Sequence, residues 1–283
     1  MNYTDYGYRI NQITAGSGPN WLFLPGGPGL GSEYLTEFCN KLQLPGAIFV
    51  LDFPQDGTNT AHGELDLECW KEGLMDLLQS FSNPILVTHS FSGMLALMMP
   101  ELEQQLSGLV LMNTTTQNTF FPHINAMQEK YDLPDLVPAA GQYHLDPSNE
   151  TYKAFWHTYK HYCFTAEELS EGEKMLPLFA FNNAAYYYAV EHFYIDYACK
   201  WSPKTIPAMT IASEQDFICP PQIFLDDERF QSPNMMNKLI SNAGHCPWVI
   251  CFEQVQQCFD DFVETLPTSL KPNPITPRLT TIM

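Results

Sequence analysis

The stretch Leu86-Val87-Thr88-His89-Ser90-Phe91-Ser92-Gly93 changes character at its middle. Residues 84–88 are a run without polar alternation, as expected of a strand buried on both faces, while residues 93–106 read as helix. A serine at such a junction, with small residues two places before and after it, can sit on a strained strand-to-helix turn that exposes its hydroxyl. Glycine is the usual small residue at both places. Here Thr88 and Ser92 stand there, and the β-branch of Thr88 needs room against the incoming helix.

Similar short apolar runs occur at residues 21–24, 47–51, 109–112 and 208–212. The stretches between them are long enough for crossover helices, which predicts an α/β fold: a mostly parallel central sheet flanked by helices. Residues 8–13 alternate and read as an edge hairpin feeding the strand at 21–24. Leu67, Trp70, Leu74, Leu77 and Leu78 lie at helical spacing within 65–81, and Val255, Cys258, Phe259, Phe262 and Val263 do so within 252–266.

Residues 115–200 break the strand rhythm and are crowded with aromatic side chains. The expectation is a helical cap inserted into a core made of residues 1–114 and 201–266. Residues 267–283, with four prolines and no period, read as an extended tail. Among the cap aromatics, Trp156 and Tyr187 are candidates to line a substrate pocket facing the sheet; packing within the cap is the competing role for each ring.

At 283 residues the chain is long enough for one large core with an insertion, and 45% hydrophobic against 16% charged residues excludes a disordered polymer. The formal net charge of -19 would repel phosphate backbones and anionic headgroups, which disfavours nucleic acid and membrane surfaces as partners. It serves either general solubility or an acidic pocket selecting cationic substrates. The eight cysteines form no CxxC pair and no zinc-finger spacing. The first residues, MNYTDYGYRI, lack a basic and then apolar leader pattern. The reading is a reduced, cytoplasmic protein with no metal and no cofactor.

Two later elements complete a chemistry with Ser90. Met209-Thr210-Ile211-Ala212-Ser213-Glu214-Gln215-Asp216 places an acid just past a buried strand, and Asn242-Ala243-Gly244-His245-Cys246-Pro247-Trp248 supplies a histidine. Serine is a poor nucleophile until an imidazole accepts its proton, and a carboxylate fixes that imidazole's tautomer. The predicted catalytic residues are therefore Ser90, Asp216 and His245, with Glu214 competing for the acid's role. Acyl transfer also needs two backbone N–H donors for the oxyanion. Phe91 is one candidate; the other comes from Pro25-Gly26-Gly27-Pro28-Gly29, with Gly27 first and Gly26 next, Gly26 also being a candidate substrate contact. The glycine spacing does not fit a phosphate-binding loop.

These motifs resemble the α/β-hydrolase superfamily over nearly the whole chain, and within it the prolyl aminopeptidases (proline iminopeptidases) and related small hydrolases. Pro25-Gly26-Gly27-Pro28-Gly29 looks like their His-Gly-Gly-Pro-Gly, Thr88-His89-Ser90-Phe91-Ser92-Gly93 like their Gly-His/Gln-Ser-x-Gly-Gly, and Gly244-His245-Cys246-Pro247-Trp248 like their histidine loop. Asp52-Phe53-Pro54-Gln55-Asp56-Gly57-Thr58 resembles the superfamily's Asp-x-Pro-Gly-x-Gly-x-Ser loop. Pro25 replaces the usual histidine, and Asp52-Phe53-Pro54-Gln55 is not the Asp-Gln-Arg-Gly of peptidase members. The resemblance implies an α/β-hydrolase fold and a serine hydrolase of small esters or amides, with N-terminal proline or small residues as a favoured class. Cap carboxylates capture the substrate amine in that family, for which Glu167, Glu168, Glu171 and Glu173 are candidates; a solvated helix face is their alternative role. The substrate expected is a small molecule or short peptide. An esterase or acyltransferase on the same triad, or a binding module without turnover, are the alternatives, and the oligomeric state stays open.

Overall fold

In the computed structural model, which describes residues 2–118 and 120–270, the apolar runs become the middle of one sheet. Its strands are β1 (Asn2–Tyr3), β2 (Arg9–Thr14), β3 (Asn20–Leu24), β4 (Ala47–Asp52), β5 (Pro84–His89), β6 (Gly108–Met112), β7 (Ala208–Ser213) and β8 (Met235–Ile240). The eight strands lie in the order β1-β2-β4-β3-β5-β6-β7-β8. From β4 to β8 every neighbouring pair is parallel, whereas β1–β2 and β2–β4 are antiparallel.

Alternate residues of the central strands go to opposite cores, which is why the runs carry no polar alternation. Trp21, Phe23, Val50, Val87 and Val110 pack on one face with Phe259 and Phe262 of α10 (Phe252–Thr265) and Phe38 of α1 (Thr36–Lys41). Leu22, Leu24, Leu86, Leu109 and Leu111 pack on the other with Trp70, Leu74 and Leu77 of α2 (Leu67–Gln79) and Leu95 of α3 (Phe91–Ala96). Burying each such large side chain contributes ~1.5–3 kcal/mol. Helix α2 starts where the Asp66 carboxylate accepts the Glu68 and Cys69 N–H groups, satisfying donors that the first turn leaves unpaired.

At the edge, strand β2 forms a hairpin with β1 and pairs on its other side with β4, so residues 15–18 carry the chain across β4 into β3. One helix differs from the sequence reading. Helix α3 stops at Ala96 and a separate 3-10 turn covers Pro100–Gln104. Pro100 has no N–H to continue the ladder, and it ends the helix expected to reach residue 106.

Between β6 and β7 the chain is helical: α4 (Phe120–Tyr131), α5 (Val137–Leu145), α6 (Asn149–Cys163), α7 (Leu169–Gly172) and α8 (Asn183–His192). An isolated bridge between Gln117 and Ala198 draws its two ends together. This segment reaches the turn after β3, where Ala180 N donates to Leu30 O and Asn182 N to Gly29 O. At the other end of the chain α9 (Gln222–Leu225) precedes β8. Beyond α10, Thr268–Leu270 form a 3-10 turn with Leu270 buried; the rest of the expected tail, residues 271–283, lies outside the described residues.

Candidate active site

Ser90 sits between β5 and α3 with φ 55° and ψ -118°. Such backbone costs a non-glycine residue on the order of 1–3 kcal/mol and persists only where the surroundings over-determine it. They do so here. Ser90 N donates to Met112 O, and Ser90 O accepts from Gly93 N and from the Thr114 hydroxyl. Ser92, standing in place of a glycine, ties the turn down: its Oγ accepts from His89 N and lies 3.0 Å from Leu24 O, at the end of β3. Thr88 is fully buried, and its hydroxyl turns to Val110 O on the neighbouring strand, which makes room for the β-branch. A Cβ on Gly26 would meet Ser90 Cβ at 2.9 Å and His89 Nδ1 at 3.0 Å, so only glycine lets the turn after β3 come this close.

His245 and Asp216 are joined directly, His245 Nδ1 to Asp216 Oδ2 at 2.8 Å, both buried. Because a carboxylate only accepts, Nδ1 carries the hydrogen of this contact. The other carboxylate oxygen accepts the N–H groups of Ile218 and Cys219, and Asn113 Nδ2 donates to Oδ2 at 3.0 Å. Burial by itself would raise the Asp216 carboxyl; the charge and hydrogen bond of His245, with the Cys219 N–H and the Asn113 amide, hold it below the ordinary carboxylate range. Glu214, the rival acid, is exposed and accepts the Asn242 N–H instead.

Ser90 Oγ is not hydrogen-bonded to His245 among the described residues. Nucleophile and base often tighten only around a substrate. What joins the two loops is the neighbouring His89. Its Nε2 is 3.0 Å from His245 O, which fixes Nε2 as the donor, and its Nδ1 accepts from the Tyr34 hydroxyl at 2.9 Å. Tyr34 in turn accepts the Gly26 N–H at 2.6 Å. Burial, then the nearby His245, pushes His89 down to about 3, so it stays neutral and holds this tautomer.

The remaining candidates fall in three places. The N–H groups of Gly27 and Phe91 are not engaged in a hydrogen bond among the described residues, whereas that of Gly26 is taken by Tyr34. Trp156 packs against Phe179 and lines a groove of about 360 Å³ with Lys153, His157 and Phe181. Tyr187 is half-buried and hydrogen-bonds Glu191 of its own helix. Neither ring touches Ser90, Asp216 or His245 among the described contacts.

Glu168 departs from both roles considered for it. It is 0% exposed, and its carboxylate accepts the Gly244 N–H at 2.9 Å and the Thr165 N–H at 2.8 Å. His245 N donates to Cys163 O beside it. Glu167 is exposed, while Glu171 and Glu173 pair with Lys174 and Lys160. Tyr34 and Asn113 are thus residues of the site that sequence reasoning missed, and Glu168 is one that it named for another role. For Asn113 a signal was available: a polar side chain at the C-terminal end of a buried parallel strand next to the nucleophile's.

Asp216, Cys219 and His245 bring potential metal-ligand atoms within 4.8 Å of one another. The nitrogen and carboxylate oxygens are already spent on each other and on backbone N–H groups, and burial pushes the Cys219 thiol up. Burial raises Cys163 and Cys246 likewise, so none of these thiols is a ready nucleophile.

Solved structures with this architecture include a proline iminopeptidase-related protein from Thermus thermophilus, with TM-score 0.69, 18% identity, and coverage of 95% of this chain and 98% of that one. An esterase from Thermogutta terrifontis matches with TM-score 0.66 and 16% identity over 91% of this chain and 93% of that one. An enol-lactonase from Burkholderia xenovorans matches with TM-score 0.63 and 15% identity over 91% and 95%. At these identities the likeness shows the fold. No curated protein sequence matches the chain. The sequence profile of the alpha/beta hydrolase family matches residues 21–257, which include most of the sheet and the loops bearing Gly26, Ser90, Asp216 and His245, and the chain belongs to that family.

Proposed function

We propose that the chain is a serine hydrolase that cleaves small esters through an acyl-enzyme on Ser90, with His245 as general base and Asp216 as its orienting acid. The observation that carries this reading is the His245–Asp216 pair at 2.8 Å, held by Asn113 and tied through His89 to the strained turn bearing Ser90. Ser90 Oγ attacks the substrate carbonyl carbon as His245 Nε2 takes the hydroxyl proton. The tetrahedral oxyanion is met by the Gly27 and Phe91 N–H groups, each worth about 2.7–4 kcal/mol in related chemistry. Collapse breaks the ester bond, and the imidazolium returns its proton to the leaving alcohol. Water then attacks the acyl-enzyme by the same route, releasing the acid and restoring Ser90.

Esters are favoured over N-terminal prolyl peptides for a specific reason. An aminopeptidase needs a carboxylate for the substrate's ammonium, and Glu168, the buried candidate, is committed to Gly244 and Thr165, while Glu171 and Glu173 are paired with lysines. We read residues 115–200 as a cap that sets specificity, and the protein as cytoplasmic; among the described residues no helix is long and apolar enough to cross a membrane.

Hydrolysis of p-nitrophenyl butyrate and of prolyl p-nitroanilide should be compared for the wild type and Ser90→Ala. The expected result is Ser90-dependent ester cleavage with little amide cleavage. Rapid Ser90-dependent release from the prolyl amide would make the protein an aminopeptidase, and ester cleavage that survives Ser90→Ala would refute the mechanism.

A further inference from the structure

In the turn after β3 each carbonyl from Gly27 to Leu30 accepts a hydrogen bond from the helical segment between β6 and β7. Gly27 O accepts from the Tyr194 hydroxyl at 2.6 Å and Pro28 O from the Tyr152 hydroxyl at 3.2 Å. Gly29 O accepts from Asn182 N at 2.8 Å and Leu30 O from Ala180 N at 2.9 Å. From the other side the buried Asp56 carboxylate accepts the Gly29 N–H at 2.6 Å. Gly27 has φ +110°, in the region that leaves glycine free to rotate, so its conformation is set by these partners and not by its own sterics.

We infer that Tyr194 is a positioning residue for the oxyanion donor: it fixes the Gly27 carbonyl on one side of the 26–27 peptide while Tyr34 holds the Gly26 N–H on the other, and that peptide carries the N–H that meets the developing charge. This rests on the serine hydrolase reading above. The hydroxyl must be the donor, since a carbonyl only accepts. The same ring also packs on the residue that carries the other candidate donor, with its centroid 6.1 Å from that of Phe91, so one side chain of the helical segment touches both donors' residues. The helical segment therefore supplies part of the catalytic geometry in addition to covering it.

The test is Tyr194→Phe, which removes one oxygen and keeps the ring. With p-nitrophenyl butyrate, kcat should fall ~10-fold, less than the loss of a whole donor, while KM stays within about 2-fold. Butylboronic acid, which forms a tetrahedral adduct on the serine, should lose affinity by the same factor as kcat/KM, and butyrate, which forms none, should keep its affinity. Tyr188→Phe is the control: that hydroxyl accepts the Leu67 N–H away from the turn, and its loss should leave all four quantities unchanged. Unchanged kcat in Tyr194→Phe, or equal losses for boronate and butyrate, would overturn the inference while leaving the hydrolase reading intact. A folded wild type that neither turns over the ester nor takes the boronate on Ser90 would overturn both.

Discussion

Tyr34 shows how much of the site rests on single polar atoms. Its one hydroxyl accepts the Gly26 N–H and donates to His89 Nδ1, and it is buried. Tyr34→Phe would leave both partners unsatisfied in the interior at ~1–3 kcal/mol each, less what they recover by relaxing. We expect a lower Tm by thermal denaturation and a reduced kcat; a variant as stable and active as wild type would remove Tyr34 from the site. Asp56 permits a prediction with a definite sign. One oxygen accepts the Gly29 and Gly57 N–H groups, the other has no partner among the described residues, and burial raises the carboxyl to about 7. The native state thus keeps a proton that the unfolded chain releases at lower pH. Its contribution to stability is full below the ordinary carboxylate range and declines as pH rises toward 7. Asp56→Asn retains an acceptor and has no proton to lose. Measured by Tm across pH, the variant should gain on wild type as pH rises from about 4 to about 7, by on the order of a few kcal/mol, and no further above that. A pH-independent difference would contradict the buried, protonated carboxyl. None of this was legible in the sequence: a lone tyrosine, or an aspartate in a turn, carries no local pattern announcing a tertiary partner.

At the scale of elements, the buried strands were legible because burial on both faces leaves an unbroken apolar run, as in Ile85-Leu86-Val87. Strand β8 was not, since Met235–Ile240 is mostly half-buried and mixes Asn237 and Lys238 into its run. Helix α3 was read too long although Pro100 was in plain sight; the apolar spacing beyond it continues in a 3-10 turn and only imitates a helix. In sequence Glu168 is one of a run of acidic residues, which reads as a solvated helix face or as substrate-facing carboxylates, and nothing local separates it from the exposed Glu167 and Glu171. In the folded chain it binds the histidine loop to the helical segment, so Glu168→Ala should strand the Gly244 and Thr165 N–H groups. The expected cost is ~1–3 kcal/mol in stability with a marked fall in kcat, whereas Glu171→Ala, which breaks only the surface pair with Lys174, should change stability by ~1 kcal/mol or less. Parallel melting curves and steady-state kinetics check this, and equal effects for the two variants would contradict it.

For the molecule as a whole, the α/β architecture followed from the spacing of its apolar runs, while the geometry of the site depended on loops brought together from residues 26, 34, 89, 113, 168, 216 and 245. The net charge of -19 acts at this scale too. A choline ester should show a kcat/KM that falls as salt is added, and a succinate half-ester one that rises, because screening weakens attraction and repulsion alike. Insensitivity of both to salt would mean that the acidic groups lie away from the approach to Ser90. The central claim, that Ser90 is a nucleophile activated by His245, is tested most directly by treating the folded protein with a fluorophosphonate and locating the adduct by peptide mass spectrometry. We predict one adduct, on Ser90, absent in Ser90→Ala and formed far more slowly in His245→Gln. A folded wild type that takes no adduct at Ser90, or labelling undiminished in Ser90→Ala, would contradict the account.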